Sequence, residues 1–250
     1  MARETPGRPP VAESGWAYFL DFDGTLLELA ATPDTIRVDS ALPVLLGNLQ
    51  QACAGAVALI SGRALADLDL RLGMPHLAKA GQHGLERRDA AGRVWLHASP
   101  PQARQTIRAA LAPLLRRHRG LLLEDKGMSL ALHYRRAPEL ASHVHQLMRR
   151  LVAEIDEDLV IQEGKCVVEV KPTGIDKGTA ICEYLAEAPF RGRRPVFIGD
   201  DKTDEHAFEV VNEHDGISIG VGSASVNALY RLPNVIAVRR WLAAAVDKQH

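Results

Sequence analysis

The stretch Tyr18-Phe19-Leu20-Asp21-Phe22-Asp23-Gly24-Thr25 sets two carboxylates one residue apart at the end of an apolar run. Alternate side chains of a strand point the same way, so Asp21 and Asp23 can serve one small polar volume where the backbone leaves the sheet. Gly24 permits that departure. A carboxylate is ionised at pH 7 and can attack an electrophile without first losing a proton. The plainer reading is an Asp-Gly turn after a buried strand.

Pro195-Val196-Phe197-Ile198 is a second apolar run and ends in Gly199-Asp200-Asp201-Lys202-Thr203-Asp204-Glu205. Asp200, Asp201 and Asp204 repel one another unless something positive lies among them, and Asp21 and Asp23 raise the number to five. A hard divalent cation with oxygen ligands answers this, and Mg²⁺ fits best. Two further residues sit where an anion would be held. Ser61 closes the apolar run Ala56–Ile60, and ligands of open α/β sheets collect at the carboxyl ends of strands; a helix cap is the simpler role for it. Lys177 falls in the first turn of a helix capped by Asp176, where the dipole disfavours a cation unless an anion is near.

The elements that must position these groups read as strand, helix, strand, helix. Leu42, Leu45, Leu46 and Leu49 follow a cap at Asp39 or Ser40, and Leu65, Leu68 and Leu72 precede Gly73. This is the start of a parallel α/β sheet. Residues 81–99 read as a hairpin leaving that sheet. After Pro100-Pro101 the pattern changes to helix, strand, strand, helix, strand, strand. Ile107, Leu111, Leu114 and Leu115 mark one helix, and Leu140, Val144, Leu147 and Leu151 the other. We expect a flexible tail over 1–14, a core over 15–100 and 173–250, and an inserted α+β cap domain over 101–172. Strands near 216–219 and 235–238, with a helix over 223–230 between them, complete the core.

In the inserted segment, period two puts Lys165, Val167, Glu169 and Lys171 on one face and Cys166, Val168 and Val170 on the other. His133 and Arg135 pair by the same count, as do Glu124 and Lys126. A face carrying Glu124, Lys126, Arg135, Lys165 and Glu169 is either a solvated sheet surface or a surface for many hydroxyl groups.

Asp21-Phe22-Asp23-Gly24-Thr25, Ile60-Ser61-Gly62-Arg63, Lys177 and Gly199-Asp200-Asp201 with Asp204 together resemble the four motifs of the haloacid-dehalogenase-like (HAD) phosphohydrolases. The resemblance implies a Rossmann-like α/β core, Asp21 as nucleophile and Asp23 as general acid/base. It also implies Thr25, Ser61, Gly62 and Lys177 around the phosphoryl group, and Mg²⁺ held by Asp21 and Asp200, supported by Asp201 or Asp204, with the backbone carbonyl of Asp23 as a further ligand. Gly81-Gln82-His83-Gly84, Glu124-Asp125-Lys126-Gly127-Met128, Ala131–Arg135 and Gly164–Pro172 are similar to the trehalose-6-phosphate phosphatases. That likeness implies sugar contacts from Glu124, Lys126, Arg135, Lys165 and Glu169, with His83 near the core–cap boundary. A phosphatase for another sugar phosphate differs only in the cap, and a silent sugar-phosphate sensor would have lost Asp21 or Asp23.

The 250 residues, 24% charged and with net charge -1, give no electrostatic case for nucleic acid or a membrane surface. No apolar stretch approaches the length of a bilayer span. Three cysteines without metal-ligand spacing, and no secretory leader, fit a reducing cytoplasm. We expect a cytoplasmic monomer with a small-molecule sugar phosphate as its partner.

Overall fold

The computed structural model describes residues 7–29, 36–97, 101–155, 158–164, 166–222 and 227–247. The chain divides into two compact units, one running to Trp95 and resuming at Ile175, the other spanning Leu96–Gly174.

In the first unit, β1 (Ala17–Leu20), β2 (Val57–Ile60) and β3 (Ala78–Gly81) are joined through α1 (Ala41–Ala52) and α2 (Leu65–Leu72). β4 (Glu86–Arg88) and β5 (Val94–Leu96) follow. After the second unit come α5 (Lys177–Leu185), β10 (Pro195–Gly199), α6 (Glu205–Glu213), β11 (Ile217–Val221), β12 (Tyr230–Leu232) and α7 (Val235–Asp247). The eight strands lie in the order β12-β11-β10-β1-β2-β3-β4-β5. β12 through β3 are parallel, and β4 runs antiparallel to β3. Parallel strands buried on both faces read as continuous apolar runs, and β1, β2 and β10 are buried throughout. Asp39 caps α1, accepting from the N–H groups of Ala41 and Leu42 at 3.1 and 3.2 Å; Ser40 makes no side-chain cap bond.

Four local expectations change. Residues 82–97 extend the sheet as β4 and β5 instead of leaving it, because Lys79, Ala80 and Gly81 pair with Arg88, Arg87 and Glu86. Residues 235–238 open helix α7: Val235, Val238, Leu242 and Ala245 are buried at helical spacing, and a short apolar run alone cannot separate helix from strand. Residues 227–229 are not helical and Tyr230 begins β12, while 223–226 lie outside the described residues. Of the expected tail, residues 7–14 pack on the first unit. Gly7 bridges Tyr230, Trp241 donates its indole N–H to the Pro10 carbonyl at 2.7 Å, and Ala12 is buried. Backbone pairing and an indole bond outweigh the turn-forming composition there.

Lys79 in β3 is wholly buried. Its Nζ donates to Asp69 Oδ1 and to the Met74 carbonyl, both at 2.5 Å, and Arg88 forks onto the same Asp69 at 2.8 and 2.7 Å. Asp69→Ala would strand the buried ammonium. Because Asp69 keeps some access to water, we expect a loss of about 2 kcal/mol in urea unfolding, whereas Lys79→Met is near neutral. Equal stability of the two variants would overturn this assignment.

The second unit holds α3 (Pro101–Arg117), β6 (Leu122–Asp125), β7 (Leu130–His133), α4 (Ala141–Glu154), β8 (Leu159–Gly164) and β9 (Val167–Pro172). Its antiparallel sheet runs β6-β7-β9-β8. Ile107 and Leu111 of α3 and Val144, Met148 and Leu151 of α4 join Leu130, Leu132, Val168 and Val170 in a core of its own. Cross-strand partners share a face, so Glu124, Ala131, Glu169 and Gln162 line the face opposite that core. Among the described residues, no helix is long and apolar enough to cross a membrane.

Candidate active site

The chain moves outward from β1 through β2 to β3, then returns to β10 on the other side of β1 and moves outward again. A crevice forms outside the carboxyl ends of strands where the order reverses, and Asp21 and Asp200 stand at that switch point. The Asp21 N–H donates to the Ile198 carbonyl at 2.9 Å, which carries the β1–β10 pairing into the loop. Gly24 has φ +81°, and a Cβ there would lie 2.1 Å from Asp200 Oδ2. Only glycine lets the first loop approach the second so closely.

Asp21, Asp200 and Asp204 present oxygens within 4.8 Å of one another. Lys177, the first residue of α5, donates from Nζ to Asp21 Oδ1 at 2.8 Å and to Asp204 Oδ1 at 2.6 Å. Its helix start is set by a capping box. Asp176 accepts from the Thr179 N–H at 3.0 Å, and the Thr179 hydroxyl accepts from the Asp176 N–H at 2.8 Å. The Thr25 hydroxyl lies 3.4 Å from Asp21 Oδ2 and 3.5 Å from Asp200 Oδ1.

These groups carry more negative charge than one ammonium offsets. Burial, reinforced by the charge of Asp204, holds Asp21 well above the usual carboxylate range although Lys177 pulls it down. Burial and Asp204 likewise push Asp200 up to about 6. Burial alone would lower Lys177, but Asp204 and Asp21 raise it. Added positive charge at this cluster would therefore favour the ionised form of Asp21. Three carboxylates and one ammonium leave two negative charges, which suits a divalent cation among Asp21, Asp200 and Asp204.

The other two aspartates do not join this cluster through their side chains. Asp201 is exposed and its carboxylate accepts from the Lys202 N–H, while its own N–H donates to Asp204 Oδ2 at 2.9 Å. Asp23 is gripped by Arg63, Nε to Oδ2 at 2.5 Å and Nη2 to Oδ1 at 3.0 Å. Ser61 is buried at the end of β2 and its hydroxyl accepts from the Arg63 N–H at 3.1 Å. Gly62 leaves room for the His83 imidazole, whose atoms would lie 2.8 Å from a Cβ at that position. Gln82 and His83 both have left-handed backbone, φ 47° and 58°, held by N–H bonds to the Arg63 and Ser61 carbonyls, each 2.8 Å.

In the second unit, Glu169 is buried and both its oxygens are engaged: Lys126 donates to Oε2 at 3.0 Å and the Ser129 hydroxyl donates to Oε1. Glu124 pairs with His133 Nε2 at 2.9 Å. Arg135 lies exposed in the turn beyond β7, not on the strand beside His133, and Lys165 falls outside the described residues.

Sequence reasoning assigns no role to Arg63, Ser129, His133 or His206. Arg63 is visible inside its motif, and His133 in an alternating strand. Ser129 lies in the same alternating run as His133; His206 carries no motif signal, and its Nδ1 lies 2.7 Å from Asp176 Oδ2 and links α6 to the start of α5.

The trehalose-phosphatase family model matches residues 19–235, from within β1 to the start of α7. The chain belongs to the trehalose-phosphatase family. Within that family it is similar to the trehalose-6-phosphate phosphatase of Escherichia coli (strain K12), 41% identical over 233 residues spanning 93% of this chain and 87% of that protein. It is also similar to a probable trehalose-phosphate phosphatase of Sinorhizobium fredii, 42% identical over 231 residues, covering 92% and 87% respectively. Among solved structures, the C-terminal domain of the C. albicans trehalose-6-phosphate phosphatase shares the fold, with a TM-score of 0.77 at 22% identity and coverage of 94% and 93%. The parallel sheet with flanking helices matches the fold of that solved structure.

Proposed function

We propose that the chain is a Mg²⁺-dependent phosphatase that converts trehalose 6-phosphate to trehalose and phosphate. The observation that carries this reading is the convergence of Asp21, Asp200, Asp204 and Lys177 at the ends of β1 and β10 and the start of α5, in a chain of the trehalose-phosphatase family.

Asp21 is the nucleophile. Its carboxylate displaces the sugar oxygen from phosphorus, giving an aspartyl-phosphate that water then hydrolyses. Asp23 donates a proton to the departing sugar oxygen and takes one from that water. Lys177 steadies Asp21 and the charge on the phosphoryl oxygens, with Thr25, Ser61 and the Gly62 backbone as further holds. Asp21 and Asp200 would hold Mg²⁺, which when bound would supply positive charge to the phosphoryl oxygens. For the sugar hydroxyls we assign Glu124, Lys126, Arg135, Lys165 and Glu169 of the second unit.

Phosphate release across a panel of sugar phosphates tests the substrate. We expect kcat/KM for trehalose 6-phosphate to exceed that for glucose 6-phosphate or sucrose 6-phosphate by about 10²-fold, because buried polar groups left unpaired reject the wrong sugar. Equal values would remove the specificity, and no release from any of them would remove the phosphatase reading.

Metal binding has a readout independent of turnover. At about 100 times its dissociation constant, Mg²⁺ should stabilise the protein by about 2.7 kcal/mol over the same protein in EDTA. Asp200→Asn should lose most of that increment; an unchanged increment would place the cation elsewhere.

A further inference from the structure

Asp23 does not stand alone at its loop; it is the first of four charges that alternate in sign. Arg63, its side chain only 10% exposed, spends Nε and Nη2 on Asp23 and turns Nη1 to Asp67 Oδ2 at 2.7 Å. Asp67 lies in the first turn of α2, and Arg71 Nε donates to both its oxygens at 2.8 Å. Arg71 Nη1 in turn donates to the Ile36 carbonyl at 3.1 Å. Arg71 follows Asp67 by one helical turn of α2, whereas Arg63 precedes the helix and reaches Asp67 from the loop after β2.

A flexible arginine that grips a half-buried carboxylate through two nitrogens can swing unless its far side is also held. Asp67 is that hold, and its own position is set by a helix start that favours negative charge and by Arg71. Helix stability does not explain this arrangement, since Arg63 lies outside α2 and its bond to Asp67 is not a pair along the helix. We propose that Asp67 is a positioning residue for Asp23: it fixes the Arg63 guanidinium where that group grips both Asp23 oxygens, and so sets the place from which Asp23 exchanges protons. The inference rests on the reading of Asp23 as general acid/base given above.

Turnover of trehalose 6-phosphate by the full chain in Mg²⁺ tests it. For Asp67→Asn we expect kcat to fall about tenfold with KM changed less than about twofold, because a misplaced proton donor slows chemistry and leaves ground-state binding intact. Asp67→Glu, which keeps the carboxylate, should recover most of the loss. Arg63→Lys should lose more than Asp67→Asn, since an ammonium lacks the fork. With p-nitrophenyl phosphate the leaving phenolate needs no proton, so the first-turnover burst should be nearly equal in the wild-type chain and in Asp67→Asn. An unchanged kcat in Asp67→Asn, or a burst slowed as much as the sugar-phosphate reaction, would overturn the inference while leaving the phosphatase reading in place. A wild-type chain that releases no phosphate would overturn that reading and this inference with it.

Discussion

Asp21→Asn is expected to lower kcat by about 10⁴-fold or more, the scale on which removal of a nucleophile is felt, while leaving the fold intact. The loss follows from chemistry alone, because an amide oxygen does not displace an alkoxide from phosphorus at a useful rate. Stability should move the other way. Asp21 is 4% exposed, lies against Asp200 and Asp204, and is held above the usual carboxylate range by burial. The amide removes one like charge, and Lys177 retains its bond to Asp204 at 2.6 Å. Thermal unfolding in EDTA should therefore occur at the same temperature as wild type or higher, and the Mg²⁺-dependent rise should shrink. Retained turnover would overturn the nucleophile assignment. A large drop in unfolding temperature would mean that Asp21 holds the loop structurally.

Lys177→Met should damage both activity and stability. The ammonium is 3% exposed and bridges Asp21 and Asp204, the latter wholly buried. Removing it leaves buried carboxylates with no partner cation, a change that costs about 3–5 kcal/mol for buried pairs. For a protein of this size the unfolding temperature should fall on the order of 10 °C in EDTA. Mg²⁺ should restore part of that loss, since it supplies positive charge to the same oxygens. Turnover should fall about 10²–10³-fold, the range seen when one fixed donor to a developing anion is removed. Calorimetry with and without Mg²⁺ separates the two effects. If the EDTA midpoint matches wild type, Lys177 does not offset the acidic cluster.

Much of this site is legible in the order of the residues. Apolar runs ending in Asp21, Ser61 and Asp200 announce strand ends, and a strand end in a parallel sheet is where ligands gather. Lys177 stands out because a cation at a helix N-terminus needs a reason. The polar face of the second unit follows from period two, and strand register places Glu124 and Glu169 on one face. Less is legible where local pattern is ambiguous or silent. Val235-Ile236-Ala237-Val238 suits strand or helix until its burial is known, and the Gly- and Pro-rich stretch from Gly7 gives no sign of its pairing with β12. The bond from Ser129 to Glu169 is not legible in the sequence, because alternation gives the face of Ser129 and not its partner 40 residues away.

The residue types needed for phosphoryl transfer, and their placement at strand ends and a helix start, were determined by the sequence itself, because alternation, capping and turn chemistry are local. Which carboxylates converge was decided only by the tertiary structure. Asp204 joins Asp21 and Asp200 while Asp201 turns to the Lys202 N–H and Asp23 turns to Arg63. The cause is strand order. Placing β10 beside β1 brings residues about 180 positions apart within one hydrogen-bond length, and Gly24 leaves the space that Asp200 fills.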